Sequence, residues 1–203
     1  MMKLYFMPGA CSFAPHIILH EAGLKHEVDK LDRTTRKTAG GEDYNDVNPK
    51  GYVPALRLDD GQVLTEAAVI LQYLADQKPE SGLAPPAGTL ARYRLMEWLH
   101  FISTEIHKVF SPLFKADITP AAREAQVAQL ARRFDYVEQR LREKSFLMGD
   151  DFTVADAYLF TVASWSTPLN IDLQRWPKIV EYLARIGARP AVQAARKMEA
   201  AAK

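Results

Sequence analysis

The run from Lys78 to Gly88, KPESGLAPPAG, separates two stretches of different periodicity, and this division restricts the possible folds more than any other feature of the chain. Before it, strand-like and helix-like patterns alternate. Lys3 to Met7 reads as a short strand, Ala14 to Ala22 as a helix closed by Gly23, and Lys25 to Leu31 as a second, weaker strand. Val53 to Leu58 alternates cleanly, Asp59-Asp60-Gly61 is a hairpin turn, and Gln62 to Leu64 supplies the return strand. Thr65 offers an N-cap and Glu66 a first-turn acid for a helix through Ile70, Leu71 and Leu74. The order is βαβ and then ββα. Beyond the break only helical periodicity remains, over 89–114, 120–143, 154–165, 176–186 and 190–202. The expectation is an α/β domain over residues 1–80, a linker over 81–88 and an all-α helical bundle over 89–203. Phe152-Thr153-Val154-Ala155-Asp156 marks one helix start, with Thr153 capping and Asp156 reaching back.

Composition excludes several classes of function. A chain of 203 residues that is 48% hydrophobic and 25% charged is globular, and its apolar runs are interrupted too often for a membrane span. The formal charge is +1 with no long Lys/Arg run, so neither nucleic acid nor membrane is expected as a partner. The start MMKLYFMPGA lacks the apolar core of a signal peptide, which points to the cytoplasm. A single cysteine excludes an internal disulfide, a CxxC pair and a zinc site needing two thiolates.

That cysteine, Cys11, follows Pro8-Gly9-Ala10 and precedes a helix beginning at Ser12 or Phe13. A helix N-terminus favours a thiolate through its unpaired N–H groups and its dipole; a buried, inert cysteine is the alternative. Val53 before Pro54 can offer main-chain groups to an extended peptide ligand, or the segment is simply a turn. Glu66 and Ala67 place a carboxylate and helix-start N–H groups together, which suits an amino-acid head group and equally suits an ordinary helix start. In the helix after the linker, Leu95, Leu99, Ile102, Ile106, Val109 and Leu113 form an apolar stripe, and His100, Thr104, His107 and Ser111 a polar one. His100 and His107 are about 10 Å apart along a helix, too far to share a metal. His16 and His20 are spaced i, i+4, but as a pair without a third ligand they read as helix surface, and no metal is expected.

These pieces, in this order, resemble the bacterial beta-class glutathione transferases over essentially the whole chain. The resemblance is carried by MKLYFMPGACSFAP at 2–15, NPKGYVPAL at 48–56, DDGQVLTEAAVILQYLA at 59–75, WLHFISTEIHK at 98–108 and GDDFTVADAYLF at 149–160. It implies a thioredoxin-like N-terminal domain, an all-α C-terminal domain and a homodimer. It implies glutathione as co-substrate, with Cys11 at the glutathione sulfur, Val53 before a cis-proline pairing with the cysteinyl backbone, Glu66 on the γ-glutamyl ammonium and the Ala67 N–H on its carboxylate. Arg36 stands where the family commonly has a lysine for the glycyl carboxylate. His100, Thr104, Glu105, Ile106 and His107 match the family's segment from the helical domain, His107 being placed to act beside Cys11 in catalysis. His100 stands where relatives usually carry asparagine, and Ala67 where serine or glycine is common.

The activity so implied is conjugation of the glutathione thiolate to a hydrophobic electrophile. Glutathione-dependent disulfide reduction or peroxide reduction through Cys11, and non-catalytic binding of hydrophobic ligands, are the alternatives.

Overall fold

The computed structural model describes residues 1–202. They group into two compact units, one formed by Met1–Leu83 with the chain from Ala188 onward, the other by Ala84–Gly187.

The first unit is built on a four-stranded sheet in the order β2-β1-β3-β4, with β1 (Met2–Phe6), β2 (His26–Lys30), β3 (Ala55–Arg57) and β4 (Val63–Thr65). β1 is parallel to β2 and antiparallel to β3, and β3 is antiparallel to β4. As a central strand β1 buries successive residues, Leu4, Tyr5 and Phe6, which explains why it reads as an apolar run rather than an alternation. The β3–β4 hairpin closes through Leu58 N–H to Gln62 O (2.8 Å) and Gly61 N–H to Leu58 O (3.0 Å), with Gly61 at φ +86°. Helix α1 (Phe13–Glu21) follows β1, the single turn α2 (Tyr44–Val47) lies in the long connection after β2, and α3 (Ala67–Asp76) follows β4. The N-cap of α3 is Glu66, at φ +69° and without a side-chain cap bond; Thr65, expected there, completes the ladder opposite Ala55.

The last helix, α9 (Pro190–Ala201), packs on α1 within this unit. Arg189 holds Glu21 through Nε (2.5 Å) and Nη2 (2.9 Å). Deeper in the same seam, Glu199 Oε1 lies 3.1 Å from His16 Nδ1, with both side chains buried. Burial pushes the His16 imidazole down to about 4 and the Glu199 carboxyl up to about 8, the latter against a hydrogen bond from the Gly9 backbone. His16 is therefore not helix surface. The two groups meet as neutral partners near pH 7.

The second unit is helical: α4 (Leu90–Phe101), a π turn at Ile102–His107, the short α5 (Lys108–Phe110), α6 (Pro120–Glu143), α7 (Val154–Ala163) and α8 (Pro177–Gly187). Thr89 and Thr119 cap α4 and α6 by accepting from Arg92 N–H and Ala122 N–H, both at 3.2 Å. The continuous helix expected over 89–114 is instead wound in three ways, α, π and finally 3₁₀ at Ser111–Phe114, where Pro112 supplies no N–H. The apolar stripe from Leu95 to Leu113 is buried throughout. Every residue of α7 is buried, as befits a helix apolar on all sides at the centre of a bundle; each large side chain there contributes about 1.5–3 kcal/mol.

The start of α7 is fixed by Asp156. Its carboxylate accepts from Leu147 N–H (2.9 Å), Thr153 N–H (2.8 Å), Thr153 Oγ1 (2.8 Å) and Tyr182 OH (2.9 Å). Burial pushes this carboxyl up, against the four donors that hold it down. Among the described residues no helix is long and apolar enough to cross a membrane.

Candidate functional site

In the first unit, β1 ends at Phe6 and the chain turns through Met7–Ala10, with Gly9 at φ +73°. Ser12 pins this turn: its hydroxyl accepts from Met7 N–H (3.2 Å) and lies 3.3 Å from Met7 O. Helix α1 then starts at Phe13, and Ala14 N–H reaches Cys11 O at 3.2 Å. Cys11 thus sits at the helix start foreseen for it, only 9% exposed. Its thiol donates to the carbonyl of Val53 at 3.3 Å, a bond that only the protonated sulfur can make.

Val53 precedes Pro54 through a cis peptide bond, as the family resemblance implies. The segment before it is braced by Tyr44 OH and Asn48 Nδ2, which donate to Tyr52 O at 2.9 and 2.7 Å. Arg36, at φ +62°, directs its guanidinium to the Gly51 carbonyl and lies 5.7 Å from the Tyr44 ring centre. Its planar fork carries further N–H donors beyond the one Gly51 takes.

Glu66 adopts a positive φ between β4 and α3 and carries a half-exposed carboxylate. Lys50 Nζ and Tyr52 OH converge on its Oε1 at 2.8 and 2.7 Å, and Lys50 also donates to Thr65 Oγ1 at 3.0 Å. Hydrogen bonding to Glu66 holds both Lys50 and Tyr52 above their ordinary ranges. Ala67, the first residue of α3, is buried. Cys11, Val53, Arg36, Glu66 and Ala67 are therefore linked by one chain of contacts running from the start of α1 through the 48–54 loop to the start of α3. Lys50 and Tyr52 were not expected in it. Their signal was the motif Asn48 to Pro54 itself, whose side chains turn toward Glu66 only once the hairpin brings β4 beside β3.

The helical-domain candidates occupy the second unit. His100 is exposed, with Nδ1 2.8 Å from Met96 O, and Thr104 donates to His100 O at 3.0 Å. Glu105 is ion-paired with Arg133, whose Nε donates at 2.8 Å, and Ile106 is buried in the bundle core. His107 is oriented by Tyr158 OH, 2.8 Å from Nδ1, with the Trp165 ring centre at 4.9 Å. Thr104, Glu105, Ile106 and His107 all fall within the π turn, a winding frequently found at functional sites.

A family model described as the N-terminal domain of glutathione S-transferase matches residues 9–77, and one described as its C-terminal domain matches residues 101–190. The chain is 43% identical over 198 residues to glutathione S-transferase GstA of Escherichia coli O157:H7, covering 98% of each. A solved glutathione transferase from Methylococcus capsulatus is 61% identical with a TM-score of 0.97, covering 98% of this chain and 99% of that one. A sphingomonad glutathione S-transferase complexed with glutathione is 44% identical with a TM-score of 0.95, covering 98% of this chain and 100% of that one.

Proposed function

The chain belongs to the glutathione S-transferase family, and on that premise we propose that the connected set from Cys11 to Ala67 binds glutathione for conjugation to a hydrophobic electrophile. The observation carrying this reading is the Val53–Pro54 segment, whose braced backbone holds a main-chain carbonyl 3.3 Å from the Cys11 thiol beside a helix start. An extended tripeptide pairs with Val53, its γ-glutamyl end takes the Glu66 carboxylate and the Ala67 N–H, and its glycyl carboxylate takes Arg36. The glutathione thiol loses its proton to solvent water, the sulfur attacks the electrophilic carbon, and the leaving group departs with its electron pair. From the helical unit we assign His107, with His100, Thr104, Glu105 and Ile106, to the same reaction. Tyr158 fixes the ring of His107 and thereby directs its other nitrogen. We read the enzyme as a cytoplasmic homodimer, for which sedimentation should give twice the 22.9 kDa chain mass.

The test is retention on immobilised glutathione together with conjugation of an activated aryl halide. Arg36→Ala should weaken retention by about 1–3 kcal/mol, whereas Lys37→Ala should leave it unchanged; equal effects overturn the assignment of Arg36. Cys11→Ala should spare much of the conjugation, because glutathione itself carries the attacking sulfur. The same substitution should abolish formation of a mixed disulfide with oxidised glutathione. Loss of conjugation in that variant would instead make Cys11 the nucleophile.

A further inference from the structure

We propose that His16, His20 and His26 form a binding site for one divalent transition-metal ion, with Zn(II) the cation best matched to the donor set. The site is independent of the glutathione reading. His16 and His20 stand one turn apart on α1, and the third imidazole, which the i, i+4 pair lacks in sequence, comes from His26 at the head of β2. One ring nitrogen of each lies within 4.8 Å of the others. The ring centres are 5.0–5.4 Å apart, with His26 set edge-on to the other two.

The Nε2 atoms of all three are buried and have no hydrogen-bond partner among the described residues. Buried polar atoms are nearly always paired, so three unpaired nitrogens gathered in one place point to a ligand that accepts their lone pairs. The outer partners have the arrangement found around metal-bound histidines. His16 Nδ1 faces Glu199 Oε1 at 3.1 Å, and His26 Nδ1 faces Leu24 O at 2.8 Å. A ring that donates Nδ1–H to the oxygen of a carboxyl or a carbonyl keeps its Nε2 lone pair for a cation. His20 lies in the last turn of α1, where the helix dipole also favours positive charge.

Three imidazoles with a fourth position open to water suit tetrahedral Zn(II). Bonds of about 2.0–2.1 Å place the nitrogens about 3.3–3.4 Å apart, so each pair has to close by no more than about 1.5 Å. His20 and His26 keep partly exposed surfaces through which an ion can enter. Once bound, the ion joins α1 to β2 directly and to α9 through Glu199.

The test uses the full chain, stripped with a chelator and free of glutathione, titrated with Co(II) for its ligand-field absorption and with Zn(II) in competition. One equivalent should bind, and a hundredfold excess over Kd should raise Tm by roughly 5–10 °C. His20→Gln and His26→Gln should each remove binding or weaken it at least tenfold, and Glu199→Gln should weaken it by about ten- to a hundredfold. Cys11→Ala should bind as the parent does. Absence of stoichiometric binding, histidine variants that bind like the parent, or loss of binding in Cys11→Ala would each overturn the site.

Discussion

Asp156 in the helical unit and Glu199 in the first unit are both carboxyl groups taken out of water, yet their surroundings differ in kind. Asp156 faces four donors, three of them from residues within nine positions in the chain, and is bound as an acceptor on every side. Glu199 meets groups from the other end of the sequence, His16 Nδ1 and the Gly9 backbone, and the histidine beside it has a second nitrogen without a partner among the described residues. Burial opposes the charge on both. A carboxylate ringed by donors is a fixed structural joint, whereas one that sits neutral against a neutral imidazole leaves its neighbourhood able to take up a charge.

The comparison breaks first at Asp156. Its replacement by alanine orphans two N–H groups in the bundle core and leaves the Tyr182 hydroxyl only its longer bond to the backbone carbonyl of residue 156 (3.3 Å), and should lower stability by about 3–5 kcal/mol in urea denaturation. A loss below about 1 kcal/mol would show that the ring of donors is not what anchors α7. Thr153→Ala removes one donor and the cap hydroxyl, and a loss of about 1–2 kcal/mol should follow in the same assay.

Glu199→Gln should have the smallest effect. In chelator-treated protein at neutral pH the change should stay within about 1 kcal/mol, since an amide replaces a carboxyl already protonated in the fold. The pH dependence sharpens this. A folded value raised from 4.5 to about 8 means that the stability contributed by Glu199 is fully present below 4.5 and lost as pH rises through 8. His16 runs the other way: lowered from 6.5 to about 4, it contributes stability above 6.5 that is lost as pH falls through 4. Thermal melts at about pH 6 and pH 9 should therefore show the parent losing ground to Glu199→Gln at the higher pH. A pH-independent difference would place a permanently charged carboxylate in that seam and end the contrast with Asp156.

The two regions also differ in how far the sequence declares them. The helix expected over 120–143 from its periodicity is α6 with the same bounds, and Thr153 with Asp156 reads as a capping box because its partners are three residues apart. Asp59-Asp60-Gly61 likewise announces the hairpin, since its local chemistry demands a turn. The π turn is invisible in the pattern. Leu99, Ile102, Ile106 and Val109 satisfy α spacing, and the wider winding that holds Thr104 to His107 leaves no separate apolar signature. The motifs around Cys11, Val53 and Glu66 are legible as motifs, but the thiol's bond to Val53 and the grip of Lys50 and Tyr52 on Glu66 depend on how β3 pairs with its neighbours. The histidine cluster lies further out of reach. His26 joins His16 and His20 only through the parallel register of β2 with β1 and the packing of α1 on the sheet, neither of which i, i+4 spacing encodes.

Because the first unit takes its last helix from the far end of the chain, its assembly is tied to the order of synthesis. Residues 1–83 leave the ribosome about a hundred residues ahead of α9, a lead of on the order of 5–20 s at ordinary elongation rates. During that interval the sheet and α1 can form, but the face of α1 that carries His16 has nothing over it, and Arg189 and Glu199 do not yet exist to cover it. The intervening helical unit, continuous in sequence, can complete its own core in the meantime. The nascent protein can thus pass through a stage in which the later-encoded unit is finished and the earlier-encoded one is still open, and closure of that earlier unit waits on the synthesis of α9.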